Sequence, residues 1–162
     1  GAMLSRYAQN GAYTDCYFMN MPMNIGLSEY IKSIYTTPLF KIERGILALI
    51  ARRPSTDLGA EELANNKTTQ FAAWSVEDRG VNQILLCDFM GRTRSWLMAV
   101  PLEALGSKGT RLYFGSAVVP KSVSRAGVAS FGFAFHALYG FHHIYTKALM
   151  QAAHSRLLRE KQ

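Results

Sequence analysis

The last third of the chain constrains its fold most. Phe131, Phe135, Leu138, His142, Tyr145, Leu149 and Ala152 recur at alternating spacings of four and three. That is the rhythm of one helical face. It predicts a helix from about Phe131 to Leu158, ~40 Å long if unbroken. A helix of that length with a single apolar stripe needs a broad surface to cover. The segments ahead of it supply one.

TTQFAAWSVE (68–77), VNQILLCDF (81–89), RTRSWLMAV (92–100) and TRLYFGSAVV (110–119) all read as strands. The turn Asp78-Arg79-Gly80, the pair Met90-Gly91 and the loop GSKG separate them. Short glycine-containing turns favour an antiparallel meander. An earlier run, YTDCYFMNM (13–21), lies between Asn10-Gly11 and Pro22 and reads as a first strand.

Two helices follow that strand. In 27–35, Leu27, Tyr30, Ile31 and Ile34 keep helical spacing, with Ser28 as the expected N-cap. Thr37 before Pro38 ends this helix, because a residue preceding proline avoids the helical region. Pro38 suits the first turn of the next. There Leu39, Ile42, Ile46, Leu49 and Ile50 share one side, and Arg52 and Arg53 fall in the last turn. AEELANN (60–66) gives one or two further helical turns, and 120–130 is a loop.

The order strand, two helices, four strands, helix indicates an α+β fold. The expected architecture is a helix-grip: a curved antiparallel sheet wrapped round a long C-terminal helix, with two short helices after the first strand. One domain should span 4–162, and Gly1-Ala2-Met3 reads as a tag remnant outside it. With 49% apolar residues the chain is not of a disordered class.

Cys16 and Cys87 each sit in an apolar run, which predicts two free thiols and a reducing, cytoplasmic location. No apolar run reaches the ~18 residues of a membrane span. The formal charge is +7, from 18 Lys and Arg against 11 Asp and Glu. Those cations are scattered and no nucleic-acid-binding motif accompanies them, so no nucleic-acid partner is expected.

The element order, the chain length, the stretches GRTRSWL and TRLYFGSAVVP, and the closing FAFHALYGFHHIYTKALMQAA resemble the START-like, or SRPBCC, superfamily. The similarity is to its small bacterial members with a two-helix insertion. Residues 54–67 are shorter and more polar than the extra strands of larger members. The resemblance implies a hydrophobic pocket between sheet and helix. Members bind lipids, sterols, polyketides or aromatic compounds, and some are cyclases or hydrolases. No catalytic signature carries over residue by residue.

The residues fit such a pocket independently. Tyr17, Phe18, Phe71, Trp74, Phe89, Trp96, Tyr113 and Phe114 lie on predicted strands, joined by Met19, Met21, Met90 and Met98. Methionines adapt to irregular apolar sites. The alternative is that the same residues fill a dry core.

Three of the four histidines fall in 135–149. The helical period aims His142 inward and puts His136 and His143 with Lys147 and His154 on the opposite or flanking side. No i, i+4 histidine pair and no H-E-x-x-H pattern occurs, so no metal is expected. No phosphate loop or dinucleotide fingerprint points to a cofactor. His142 is a candidate acid/base; its alternative is a core histidine satisfied by a neighbour.

Arg92 and Arg94 share a strand face with Trp96 and Met98. They would clamp a carboxylate at a pocket mouth, or simply pair with Asp88. The candidate ligand-binding set is Trp74, Arg94, Trp96, Met98, Phe114, Phe135, His142 and Tyr145. The first reading is a binding or carrier domain for a hydrophobic or amphipathic small molecule. A second is a cyclase, dehydratase or isomerase using His142. A third is a packed interaction domain whose Arg44, Arg52 and Arg53 face a membrane surface or an acidic partner.

Overall fold

A computed structural model describes residues 1–42, 55–103, 108–120, 122–123, 129–130 and 133–160, with the backbone alone within 122–142. The fold is α+β: a six-stranded, open, antiparallel sheet with helices after its first strand and a long C-terminal helix against it. The elements are α1 (Ser5–Gln9), β1 (Tyr13–Met21), α2 (Leu27–Tyr35), α3 (described over 38–42) and α4 (Asp57–Ala64). The strands β2 (Gln70–Phe71), β3 (Trp74–Arg79), β4 (Gln83–Asp88), β5 (Thr93–Pro101) and β6 (Thr110–Val118) follow. A two-residue hairpin, β7 (Ser122–Val123) with β8 (Ala129–Ser130), precedes α5 (Phe133–Glu160).

The spatial order is β1-β6-β5-β4-β3-β2. The meander runs from β2 to β6, and β1 returns to the free side of β6, pairing Tyr13 with Val118 through Met21 with Thr110. Among the described residues β1 and β2 are therefore the two sheet edges.

Several boundaries differ from the sequence reading, each for a local reason. The run 68–77 is two strands, because Ala72 takes a left-handed conformation (φ 53°) and turns Phe71 back onto Trp74. α2 begins one residue before Ser28: Gly26 is its N-cap, and the Glu29 carboxylate accepts from the Gly26 N–H. α4 starts at Asp57 because the Thr56 hydroxyl caps it, accepting from the Gly59 N–H at 3.1 Å. Its far end closes with Asn66 left-handed, Asn66 N–H on Leu63 O and Lys67 N–H on Glu62 O. That is a Schellman closure of the last turn. The long helix is described over 133–160, against about 131–158 expected, with 131–132 outside the described residues.

Strand alternation sorts the side chains onto two faces. One face carries Ile84, Leu86, Leu97, Ala99, Leu112 and Phe114 into the main core. There they meet Tyr30, Ile31, Ile34 and Tyr35 of α2, Leu63 of α4, and Leu149, Met150, Ala153 and Leu157 of α5. In the described residues α2 lies over β5, while α5 packs on α2 and on the edge strand β1. Each fully buried aliphatic side chain here contributes about 1.5–3 kcal/mol.

The opposite face carries Leu85, Trp96 and Ala117, covered by Leu4 with Ala2, Met3 and Tyr7 beside it. The short helix α1 was not foreseen in the sequence. It makes the sheet two-sided, with a small second core behind it. Among the described residues no helix is long and apolar enough to cross a membrane.

Candidate functional site

The eight predicted ligand-binding residues do not share one place. Phe114, 7% exposed, belongs to the main core, and Trp74 and Tyr145 pack against it. The Trp74 indole N–H is buried with no hydrogen-bond partner among the described residues. Trp96 and Met98 lie on the other face, in the second core under α1. The Trp96 Nε1–H donates to Gln83 Oε1 at 3.0 Å.

Arg94 is on that second face too, not at a mouth between sheet and helix. Its Nε–H donates to Glu77 Oε2 and to the Tyr7 hydroxyl, each at 2.8 Å. Glu77 also binds Arg6 at 2.6 Å and accepts from the Tyr7 hydroxyl. Arg94 therefore fastens α1 to the sheet. The alternation that grouped Arg94, Trp96 and Met98 was right; α5 simply covers the other face. Asp88, offered as a partner of Arg92 and Arg94, instead accepts the backbone N–H groups of Arg92 and Thr93 and shapes the β4–β5 turn. Phe135 and His142 lie on α5, and their side chains fall outside the described residues, as do Arg44, Arg52 and Arg53.

One groove among the described residues lies between β1 and α5. It has a volume of about 450 Å³ and is lined by Tyr17, Phe18, Met19, Lys147, Met150, Gln151 and His154. The helix contributes positions i, i+3, i+4 and i+7, which is one stripe of an α-helix. The strand contributes three consecutive residues. Consecutive strand side chains point to opposite faces, so a groove touching all three runs along the side of the strand away from β6.

The groove is apolar along β1, and α5 adds Lys147, Gln151 and His154 beside Met150. Phe18 is 60% exposed, large for an aromatic on a nine-residue strand. Arg111 from β6 lies over the Phe18 ring, 4.7 Å from its centroid, and donates to Asn20 Oδ1. At one end the Tyr17 hydroxyl hydrogen-bonds His143 Nδ1, with the rings edge-on at 5.9 Å. Lys147 follows one turn later, exposed. No Asp or Glu lines the groove.

No three His, Cys, Asp or Glu side chains converge on a metal position among the described residues. Partial burial pushes the Cys87 thiol up, Glu77 and Asp88 add to this, and Arg94 opposes it. That is the opposite of an activated thiolate.

The sequence reading put Lys147, His143 and His154 on the flank of the helix but gave them no role. The missed signal was the pairing of that flank with YFM, an apolar triplet without alternation. Comparison with known protein families, curated proteins and solved structures finds no match to this chain.

Proposed function

We propose that this domain is a noncatalytic binding module for an elongated amphipathic acid, held between β1 and α5. The observation that carries the reading is the groove's composition: Tyr17, Phe18, Met19 and Met150 give an apolar wall, and Lys147 supplies a positive charge beside the polar Gln151 and His154, with no carboxylate among the lining residues. Apolar contact supplies affinity, and a few polar groups fix orientation. On this reading the chain is a START-like domain whose ligand lies at the open side of the sheet, next to the C-terminal helix. Arg94, Trp96 and Met98 then stabilise the fold rather than touch the ligand.

Titration with dodecanoate, read by the methionine methyl resonances of Met19 and Met150, tests it. Both methyls should shift saturably. Lys147→Glu should weaken binding by about five- to tenfold, the usual size for losing one charge-assisted contact. Unchanged affinity in that variant, or equal shifts with dodecanol, would refute the reading.

A further inference from the structure

We infer that the mouth of this groove docks on an anionic lipid bilayer. Phe18 and Ile144 enter the interface, and Arg111 and Lys147 meet the lipid phosphates. The inference rests on the groove being the binding site, as proposed above, and goes further by naming the surface that supplies the ligand.

Three observations carry it. First, an exposed apolar side chain stands on each bank of the groove. On the sheet side Phe18 is 60% exposed, and on the helix side Ile144 is 72% exposed. Lys147, Gln151 and His154 line the groove from α5. Ile144 lies three residues before Lys147 and continues that stripe by one turn. Single exposed apolar residues are ordinary on protein surfaces. Here two of them flank one groove.

Second, a cation accompanies each. Arg111 lies over the Phe18 ring, 4.7 Å from its centroid, and Lys147 stands one turn from Ile144. Arg111 donates its Nε–H to the neutral Asn20 amide oxygen. Neither Arg111 nor Lys147 has a carboxylate partner among the described residues. An apolar side chain beside a cation suits a bilayer interface. The apolar group sinks between the headgroups while the charge stays at the level of the phosphates.

Third, the surrounding elements are poor in acid. α5 carries no Asp or Glu before its last residue, Glu160. Arg111 is the one charged residue of β6. Asp15, the one acid of β1, accepts from the Ser116 N–H and hydroxyl. The chain as a whole carries +7. Acidic lipid headgroups attract such a surface, by about fivefold in affinity for each Lys or Arg near it.

The ligand favours a bilayer over an acidic protein as the partner. An amphipathic acid collects in membranes, because water rejects its apolar part. A groove that opens on the membrane receives it without a passage through water.

The test is co-sedimentation with sucrose-loaded vesicles, one set of phosphatidylcholine alone and one of phosphatidylcholine and phosphatidylglycerol in equal parts. Binding to the mixed vesicles should be about twentyfold tighter than to the neutral ones, and Arg111→Gln should weaken it by about fivefold. Phe18→Ser and Ile144→Ser should each weaken it by about tenfold, through lost apolar burial. Val81→Ser, on the exposed β3–β4 turn, should bind like the parent. In buffer without vesicles Ile144→Ser should keep the parent's affinity for dodecanoate, since Ile144 lies outside the groove lining.

Equal binding to both vesicle types would overturn the docking, as would parent-like binding by both serine variants at the banks. A loss in Val81→Ser as large as in Ile144→Ser would overturn it too. If soluble polyglutamate binds as tightly as the mixed vesicles, an acidic polypeptide is the partner and the bilayer inference falls. If the free protein sediments as a dimer that buries Ile144, a second copy covers the surface and the inference falls. If dodecanoate binds and no vesicle does, the groove reading stands and the docking falls. If neither binds, both fall.

Discussion

Two side chains show how single residues tie distant elements together. Arg79 ends β3 and reaches α4, donating to Leu63 O at 2.6 Å and Ala64 O at 3.4 Å. A cation on the last carbonyls of a helix adds a charge-assisted donor there and meets the negative end of the dipole. Arg79→Met should cost about 1.5–3 kcal/mol, the range for hydrogen bonds to a charged group, measured by urea unfolding. Glu77 is the second. Burial alone would raise its carboxyl, but the hydrogen bond from Tyr7, the Arg94 charge and the bonds from Arg94 and Arg6 outweigh burial and hold it below the usual range. A carboxyl lowered in the folded state stabilises above its unfolded pKa, and that gain disappears as pH falls through the folded value. Tyr7 behaves oppositely. Burial and its bond to Glu77 raise it against the pull of Arg94, so its contribution is present below its unfolded pKa and lost as pH rises through the folded one. Glu77→Gln should therefore be less stable than the parent at neutral pH and converge with it only as pH falls through the lowered folded value of Glu77. Equal stability at neutral pH would show that the cluster contributes nothing to folding.

At the scale of elements, caps decided what periodicity left open. Thr56→Ala removes the acceptor for the Gly59 N–H and should cost about 1 kcal/mol, with helicity lost from α4 alone. Thr56-Asp57 was a legible start signal for α4, whereas the run 60–66 alone places the helix late. The long strands β5 and β6 and the helix α2 were readable because alternation and helical spacing are strong over nine residues. The β2–β3 turn was not, because alanine at a positive φ carries no mark in sequence. α1 was missed for a similar reason: five residues are too few for a period. That omission assigned Arg94, Trp96 and Met98 to the helix side. Alternation says which residues travel together, but not which face the long helix takes.

Over the whole molecule the sheet is held from both sides, and Gly115 is where the back cover is tightest. A Cβ at Gly115 would lie 2.7 Å from Leu4 Cδ2, 2.9 Å from the Asp15 carbonyl oxygen and 3.0 Å from Trp96 Cε3. Gly115→Ala should thus cost about 1–3 kcal/mol through overpacking. Leu4→Ala in the same chain should recover part of that, which a double-mutant cycle would read as a non-additive term. Additive losses would mean that Leu4 does not press on the sheet there. The return of β1 to β6 has a consequence in time. The meander β2–β6 joins neighbours in sequence, whereas Tyr13 waits for Val118. On a ribosome the opening strand emerges early and stays unmatched until the rest of the sheet has been made. Loop closure over such a span is slow, so refolding should end in a late step that docks this strand. Until then β6 also presents a bare edge, and crowded nascent chains would be most prone to join one another at that seam.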